Sequence, residues 1–375
     1  MDYQKSINTA LEILHKDLAE FNGKFKPANS ANNYYAPGEN VDWTTGFHTG
    51  QYWLAYELTG DEKFKEAALK HVDSFLHRIE NRIDVDNHDM GFLYTLSCVA
   101  AWRLVGSETG RKAAIMAADN LITRYHEKGE FVQAWGELGS PYDYRMIIDC
   151  MMNMPLLYWA SVETGDQKYA NIANKHMATS VKNLVREDYS TFHTFFFDME
   201  TGAPLKGVTA QGYKDSSPWA RGQAWGVYGL ALNYKYTQNP ECIELFYPVT
   251  DFFLSRLPQD LVCYWDLDFT DGDGEEKDAS AAAIAACGML EMAKYLPAEK
   301  AAYYTGWAKK ITEALAKGYA AKPEESNGLL LQGVYCKKSP YNTVPNKGVN
   351  ECNIWGDYYW LELLTRLTTD WEIYW

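Results

Sequence analysis

The chain has 375 residues, is 47% hydrophobic and carries a formal net charge of −15, with a pI of about 5.0. This acidic balance excludes nucleic acids and anionic membranes as expected partners. The apolar content suffices for a large core, and no linker or low-complexity tract interrupts the chain. We therefore expect a single domain over residues 1–375.

Targeting and redox signals point to the cytoplasm. The N-terminal residues 1–6 show no basic stretch followed by an apolar core, so no secretory signal is expected. The longest apolar run, 279–293, contains Glu291 and is too short to cross a bilayer. The seven cysteines are odd in number and never form C-x-x-C, a usage typical of a reduced compartment. We expect a cytoplasmic monomer or weak homo-oligomer.

Periodic apolar stretches predict twelve helices. A motif that recurs at 56–64 (YELTGDEKF) and 161–169 (SVETGDQKY) ends one helix at a glycine and begins the next at an aspartate. Each motif therefore marks the turn of a helical hairpin. The predicted helices lie at 2–20, 44–59, 61–79, 89–105, 109–126, 146–164, 166–183, 219–237, 240–257, 276–295, 297–318 and 352–368.

These helices alternate in character along the chain. Helix 89–105 is apolar on nearly every side, which predicts burial, whereas helix 61–79 carries Lys and Glu on one face. Six inner and six outer helices predict an all-α (α/α)6 barrel. An open α-solenoid is the alternative, although it requires polar capping repeats. Segments 192–197 and 261–269 are predicted to form short strands within loops.

The starts of the predicted inner helices share a chemical pattern. In an alternating barrel these helices run in one direction, so their N-termini gather at one mouth, where the helix dipole favours an anionic ligand. An acid, often beside Trp or His, precedes or begins most of them, although N-capping alone explains any single Asp equally well. The residues concerned are Asp42, Trp43, His88, Asp89, Asp149, Trp219, Arg221, Gln223, Trp225, Asp278, Ser280, Trp355 and Asp357.

Asp149 departs from the capping pattern. It is the only acid in the apolar stretch 145–159 and is predicted to lie about one turn inside its helix. Burial favours the protonated form of a carboxyl group, which is the form that general acid catalysis requires near neutral pH. If Asp89 faces it across the mouth, ionised Asp89 would raise the pKa of Asp149 further. The pair would then resemble the two carboxylates of glycoside hydrolysis.

Motifs for other chemistry are missing from the sequence. The eight histidines show neither H-x-x-x-H nor H-E-x-x-H spacing, so a catalytic metal is not expected. No phosphate-binding glycine motif and no G-x-S-x-G is present. We predict a site without metal or cofactor.

Taken in order from about residue 34 to residue 368, the sequence resembles the unsaturated glucuronyl hydrolases of glycoside hydrolase family 88. The combination of H-D-x-G-F, I-I-D-C and W-x-R-G-Q-A-W is highly specific, and the family's fold is the (α/α)6 barrel. The resemblance is carried by 42–48 (DWTTGFH), 88–94 (HDMGFLY), 133–136 (QAWG), 147–153 (IIDCMMN), 193–198 (HTFFFD), 219–226 (WARGQAWG) and 354–360 (IWGDYYW).

This resemblance implies an enzyme that hydrates the C4=C5 double bond of the terminal uronate in oligosaccharides made by polysaccharide lyases. Asp149 would protonate C4 and activate the water that adds at C5, and the resulting hemiketal would open and release the remaining sugar. Asp89 would position the substrate and keep Asp149 protonated. The expected partner is therefore an unsaturated uronyl oligosaccharide.

The resemblance also implies a set of binding residues. For Arg221 the alternative is a salt bridge to an inner acid, and for each tryptophan it is a position in the core. The residues implied to contact the uronate are His88, His193, Gln211, Trp219 and Arg221, and those implied to wall the pocket are Trp43, Trp135, Trp225 and Tyr341.

One segment departs from the family pattern. Members suited to sulfated glycosaminoglycans resemble Ser-x-x-Ser-x-Lys just before a G-V-N-E segment. Here the stretch reads Asn342-Thr-Val-Pro345-Asn-Lys347, which keeps the lysine and loses both hydroxyls. We expect a weaker preference for a 6-sulfated neighbouring sugar.

Three other functions fit parts of the pattern. The unsaturated rhamnogalacturonyl hydrolases of pectin breakdown share the barrel. A sugar epimerase on the same barrel needs a histidine pair as acid and base, which His88 and His193 could mimic. A non-catalytic carbohydrate-binding protein would not depend on an acid at Asp149.

Overall fold

Helical hairpins make up most of the chain in the computed structural model, which describes residues 3–338 and 345–375. A π-helical turn at Thr95–Val99 joins α4 to α5, so the thirteen α-helical segments of the described residues form twelve rods. The helices are α1 (Tyr3–Phe21), α2 (Thr45–Thr59), α3 (Glu62–Glu80), α4 (Met90–Tyr94), α5 (Ala100–Val105), α6 (Glu108–Ile122), α7 (Met154–Thr164), α8 (Lys168–Leu184), α9 (Ala220–Thr237), α10 (Pro240–Ser255), α11 (Ala279–Ala293), α12 (Ala298–Gly318) and α13 (Ile354–Thr368).

Six rods form a closed inner ring. In order around the ring, α2, α4–α5, α7, α9, α11 and α13 each pack on the next, and α13 returns to α2. Every residue of α11 from Ala279 to Met289 is buried, and its small side chains allow close packing, since a Cβ on Gly288 would lie only 2.7 Å from the Cα of Tyr228. No helix in the described ranges is both long and apolar enough to span a membrane.

The outer rods α1, α3, α6, α8, α10 and α12 each pack against an inner neighbour. They are amphipathic: α3 buries Phe64, Ala68, Val72 and Phe75 at the spacing of one helical face. Alternation of outer and inner helices around a closed ring confirms the predicted (α/α)6 barrel and leaves no open end of the kind that a solenoid has.

Short strands lie in the connecting loops. β4 forms the centre of an antiparallel sheet between β3 and β5. The strand predicted at 192–197 is confirmed by β4, whereas the one predicted at 261–269 is wrong, because this segment makes only isolated bridges such as that between Tyr264 and Lys277. The strands described are β1 (Tyr125–His126), β2 (Phe131–Val132), β3 (Arg145–Ile147), β4 (Thr194–Phe197), β5 (Pro204–Val208), β6 (Gly333–Val334) and β7 (Val349–Glu351).

The predicted helix 146–164 is wrong over its first eight residues. The chain there runs from β3 into a 3-10 helix (Ile148–Met152), and α7 begins only at Met154. Pairing with the distant strand β4 extends Arg145–Ile147, and the Ile148 N–H donates to the His193 carbonyl at 3.1 Å. Asp149 therefore lies in the 3-10 helix that precedes α7, and not one turn inside an α-helix.

Buried charges close the end of the barrel where the inner helices finish. Arg366, in the last turn of α13, donates to Glu362 at 2.9 Å and to Glu291 at 2.8 Å. The indole N–H of Trp375 donates to Glu362 at 3.1 Å, and its ring stacks on Tyr359 with centroids 6.2 Å apart. We call this group (Tyr228, Glu291, Glu362, Arg366, Trp375) the closed-end cluster.

Candidate active site

The starts of the inner helices meet at the opposite end. The Trp43 ring, just before α2, stacks on Trp355 of α13 with centroids 5.1 Å apart. His88, just before α4, contacts Asp149 before α7. Arg221 at the start of α9 pairs with Asp278 before α11. The mouth predicted from the alternating helices is therefore present.

An acid pair and a histidine form the centre of this mouth. His88 Nε2 lies 3.4 Å from one carboxylate oxygen of Asp89 and 3.4 Å from one of Asp149, and the three atoms all lie within 4.8 Å of one another. His88 and Asp89 are buried, and the Asp149 side chain is 14% exposed. This spacing is shorter than the roughly 6.5–9.5 Å between the carboxyl groups of an inverting glycosidase.

Several polar atoms at this centre are buried without a hydrogen-bond partner among the described residues. They are His88 Nδ1, Asp89 Oδ1, Asp149 Oδ1 and His193 Nε2. An unmade hydrogen bond on a buried polar group costs about 1–3 kcal/mol, so folded proteins rarely leave several together. Their concentration here indicates a site that a polar ligand completes.

Burial sets the protonation of the two acids. It raises the pKa of Asp149 to about 7, even though the positive charge of Arg221 acts in the opposite direction. Burial raises the pKa of Asp89 well above its usual range, and the Asp149 carboxylate raises it further. Because the repulsion between two charged carboxylates acts on both groups, the two acids form a coupled pair. Both groups hold protons more tightly than an exposed aspartate.

The two histidines of the mouth are kept neutral. Burial lowers the pKa of His88 well below its usual range and lowers that of His193 to about 3, where the charges of Arg221 and Arg145 also contribute. Neither imidazole is suited to serve as a general acid near pH 7. A histidine acid–base pair of the epimerase type is therefore disfavoured.

Arg221 is fixed by the protein itself. One terminal nitrogen donates to Asp278 at 3.1 Å and to the Val334 carbonyl at 2.6 Å. The other donates to Gln211 Oε1 at 2.7 Å and to the Tyr335 carbonyl at 2.7 Å. The salt bridge considered as the alternative for Arg221 is thus present. The arrangement holds Gln211 at the mouth and places a fixed positive charge near Asp149.

The tryptophans occupy different depths. Trp43 is half-buried, and its indole N–H donates to the Tyr335 hydroxyl at 2.9 Å. Trp219 is buried, with its ring 4.8 Å from that of His193. Trp135 is 38% exposed. Trp43 and Trp219 thus contact other residues near the mouth, whereas Trp135 is the most exposed of the three.

Two members of the predicted set differ from this picture. Trp225 is only 1% exposed, and its ring packs on Phe92 and Tyr359 with centroids 5.3 and 5.7 Å away. It lies in the core, as the alternative for the tryptophans allowed, and supports the site from below. Tyr341 lies outside the described residues.

Comparison with known proteins shows the family of the chain. The model of Glycosyl Hydrolase Family 88 matches residues 19–358. The chain belongs to this family. It is 48% identical over 378 residues to the unsaturated chondroitin disaccharide hydrolase of Streptococcus agalactiae serotype III, covering 100% of this chain and 94% of that protein.

Solved structures of related family 88 members share the fold. The crystal structure of unsaturated glucuronyl hydrolase from Streptococcus agalactiae has a TM-score of 0.95 at 49% identity, covering 100% of this chain and 93% of that one. A mutant of that enzyme complexed with dGlcA-GalNAc6S has a TM-score of 0.87 at 45% identity, with the same coverage. The predicted family, glycoside hydrolase class and barrel are therefore confirmed.

N-capping explains little of the acid pattern in this family 88 chain. Asp278 does cap α11, since it accepts from the backbone N–H groups of Ser280 and Ala281. Asp357 accepts instead from the backbone of a loop, at Leu329 and Leu330. Asp89 precedes α4 without making a side-chain cap. Its position is thus not explained by helix capping.

Sequence reasoning missed two residues that shape this family 88 site. The side-chain N–H of Asn153 donates to the backbone carbonyl of Asp149 at 3.4 Å. The side-chain oxygen of Asn153 accepts from the backbone N–H of Phe92 at 2.8 Å. Arg145 lies over the Trp135 ring at 3.7 Å. Asn153 stands in the I-I-D-C-M-M-N motif, so that motif carried a signal for it, whereas Arg145 gave none.

Proposed function

We propose that this protein is an unsaturated glucuronyl hydrolase that removes the terminal 4,5-unsaturated uronic acid from lyase-generated oligosaccharides, with glycosaminoglycan-type disaccharides as substrates. The observation that carries the proposal is the acid pair: Asp149, with a pKa of about 7, lies beside Asp89 in a mouth with unpartnered polar atoms. The names of the related enzymes support the substrate class.

The chemistry follows from the neutral acid. An enol ether accepts a proton on carbon, so Asp149 in its acid form donates to C4 and leaves an oxocarbenium ion centred on C5. The Asp149 carboxylate then takes a proton from the water that adds at C5, which restores the acid. The hemiketal opens to a ketone at C5, and the hemiacetal at C1 releases the second sugar and an aldehyde. One water is consumed in total.

Asp89 has a different part in this proposal. Asp89 is proposed to position the substrate through a hydrogen bond with a sugar hydroxyl and to keep Asp149 in its acid form. Burial and the neighbouring Asp149 raise the pKa of Asp89 well above its usual range. Because two carboxylates this close disfavour each other's charge, the pair holds its protons as a coupled unit.

The remaining predicted residues act through binding. Trp43 and Trp135 are proposed to wall the pocket. The residues proposed to contact or orient the uronate are His88, His193, Gln211, Trp219 and Arg221. Trp225 supports this set from the core. The reaction is proposed to need no metal, although the donor set of His88, Asp89 and Asp149 is close enough to hold a cation.

The place of action and the assembly are proposed from composition. All seven cysteines are buried, and none forms a disulfide within the described residues, which fits a reducing cytoplasm. We propose a single-domain cytoplasmic enzyme that acts as a monomer or weak homo-oligomer on the products of polysaccharide lyases.

The test is a panel of unsaturated disaccharides assayed by loss of the ultraviolet absorbance of the C4=C5 bond. Turnover of unsaturated chondroitin or hyaluronan disaccharides, with little on the unsaturated rhamnogalacturonan disaccharide, is expected. The reverse preference would favour the pectin-type enzyme. Activity on saturated amino sugars alone would favour an epimerase, and binding without turnover would favour a carbohydrate-binding protein.

The preference for sulfate is a finer proposal. Asn342 and Pro345 stand where family members suited to sulfated substrates have serine, so two hydroxyl donors to a 6-sulfate are missing here. Lys347 keeps the positive charge. We propose higher kcat/KM on unsulfated than on 6-sulfated chondroitin disaccharide. Equal or higher kcat/KM on the sulfated substrate would refute it.

A further inference from the structure

Asn153 occupies the N-cap position of α7, yet its side chain makes no hydrogen bond to the first turn of that helix. Asparagine is favoured at this position because its side-chain oxygen satisfies one of the free N–H groups there. Asn153 is fully buried, so its amide needs other partners. Those partners indicate a role at the acid pair.

The side chain of Asn153 links the two segments that carry the acids. Its oxygen accepts from the backbone N–H of Phe92, in the first turn of α4 after Asp89, at 2.8 Å. Its N–H group donates to the backbone carbonyl of Asp149, in the 3-10 helix before α7, at 3.4 Å. One amide therefore joins the turn of Asp89 to the turn of Asp149.

The backbone of the H-D-M-G-F segment lies directly on Asn153. A Cβ at Gly91 would lie 2.4 Å from the Cα of Asn153 and 2.8 Å from its side-chain oxygen. These distances are shorter than van der Waals contact, so the approach requires a residue without a side chain. The separation of the two turns is thus set by contact as well as by hydrogen bonds.

His88, which lies between the acids, does not fix them in the same way. Its Nε2 atom is 3.4 Å from one carboxylate oxygen of Asp89 and 3.4 Å from one of Asp149. These distances exceed the usual N–H···O range of about 2.7–3.2 Å. Both oxygens lack a hydrogen-bond partner among the described residues. The positions of the two carboxyl groups therefore depend on the turns that carry them.

Asn153 also acts on Asp89 itself. Burial and the neighbouring Asp149 raise the pKa of Asp89, and the Asn153 amide beside it acts in the opposite direction. An N–H donor favours the ionised form of a carboxyl group. This effect agrees with an amide that lies against the Asp89 side chain.

We propose that Asn153 is a positioning residue, which fixes the turn of Asp89 to the turn of Asp149 and so sets the distance between the two carboxyl groups. This inference rests on the proposed function. Because its side chain is buried, Asn153 acts on the reaction through the acids and not by contact with the sugar. An error of about 1 Å in the placement of catalytic groups can lower a rate about 10²-fold, so the loss of this link should be visible in kcat.

The test is a double-mutant cycle on unsaturated chondroitin disaccharide with Asn153→Ala, Asp89→Asn and the double variant. Asn153→Ala should lower kcat about 10- to 100-fold and change KM less than about threefold, because the binding residues stay in place. If Asn153 acts by holding Asp89, its loss should matter little once Asp89 is replaced. The further fall in kcat in the Asp89→Asn background should therefore be less than about threefold. A wild-type kcat in Asn153→Ala, or an equal loss in both backgrounds, would overturn the proposal.

Asn327→Ala is the matched control for this cycle. Asn327 is also buried, and its side chain bonds with the backbone N–H and carbonyl of Tyr35 at 2.7 and 3.0 Å. It joins two distant segments as Asn153 does, but neither segment carries an acid of the pair. Its loss should lower the urea midpoint and should have the same effect on kcat with and without Asp89→Asn.

Gly91→Ala separates the two turns while it keeps the Asn153 amide. The added Cβ must displace Asn153, whereas Gly306→Ala on the outer helix α12 meets no other atom within 4 Å. Gly91→Ala should reproduce the fall in kcat and its dependence on Asp89, and Gly306→Ala should not. This pair carries the test where Asn153→Ala fails to fold, and a wild-type kcat in Gly91→Ala would contradict the proposal. Wild-type enzyme that turns over no unsaturated disaccharide would instead overturn the proposed function, and this role with it.

Discussion

The two ends of the barrel bury acids to opposite effect. At the closed end, burial alone would raise the pKa of Glu291, but the charges of Arg366 and Lys294 outweigh it and lower the pKa to about 2. At the mouth, burial prevails over Arg221 and raises the pKa of Asp149 to about 7. The difference lies in the partners: hydrogen-bonded cations neutralise the closed-end acids, whereas one carboxylate oxygen of each mouth acid has no hydrogen-bond partner among the described residues. A buried carboxyl group that is paired with cations stabilises the fold, whereas a buried carboxyl group without such partners holds its proton and can act as a general acid.

The largest expected effect is that of Asp149→Asn. The amide has the shape of the acid but cannot donate a proton to C4, so kcat should fall about 10³- to 10⁴-fold. Disaccharide binding, measured by calorimetry, should persist, and the melting temperature should not fall, because a neutral group replaces a buried acid. Turnover within a factor of ten of the wild type would remove Asp149 from the mechanism.

At the closed end, Arg366→Met should act on stability. It leaves the Glu362 carboxylate buried without its cation and leaves Glu291 with Lys294 alone, which costs about 3–5 kcal/mol. Urea denaturation should show this loss in the free energy of unfolding, while kcat of the folded enzyme stays near the wild-type value. A large loss of kcat at unchanged stability would mean that the closed-end cluster takes part in catalysis.

Asp89→Asn and Glu362→Gln form a matched pair of neutral replacements at the two ends. The first should lower kcat/KM about 10²-fold, because positioning of the sugar is lost. The second should leave kcat/KM near the wild-type value and lower the urea midpoint. An equal loss of kcat/KM in the two variants would contradict the proposed difference between the two ends of the barrel.

The pH profile gives the smallest effect. The pKa of Asp149 is raised to about 7, so the acid form is present below that pH and is lost above it. The kcat/KM should therefore fall about tenfold per pH unit once the pH exceeds about 7. A profile that rises through pH 7 would assign the group the role of a base that must be ionised.

Much of the fold followed from local patterns, because helical periodicity and turn motifs are written in neighbouring residues. The wrong predictions concern segments whose structure depends on residues far away in the sequence. Segment 145–152 is apolar enough for a helix, but β4 pairs with residues 145–147 from about 50 residues away and extends them, so that only a 3-10 helix follows. An apolar run alone does not show whether the segment forms a helix or a strand.

The site shows the same limit. Asp149 was visible as a lone acid in an apolar stretch. The bonds that hold Arg221 to the carbonyls of Val334 and Tyr335, more than 100 residues away, had no sequence signal. The burial that raises the pKa of both Asp89 and Asp149 is likewise defined only by the folded chain.

The account depends most on the protonation of one side chain. Selective ¹³C labelling of the aspartate carboxyl groups allows their chemical shifts to be followed by NMR from pH 4 to 9, with the Asp149 signal assigned by its loss in Asp149→Asn. We predict a midpoint near pH 7 for Asp149 in the free enzyme. A midpoint below about 5, close to that of an exposed aspartate, would show that Asp149 is ionised at neutral pH and would contradict its role as the acid.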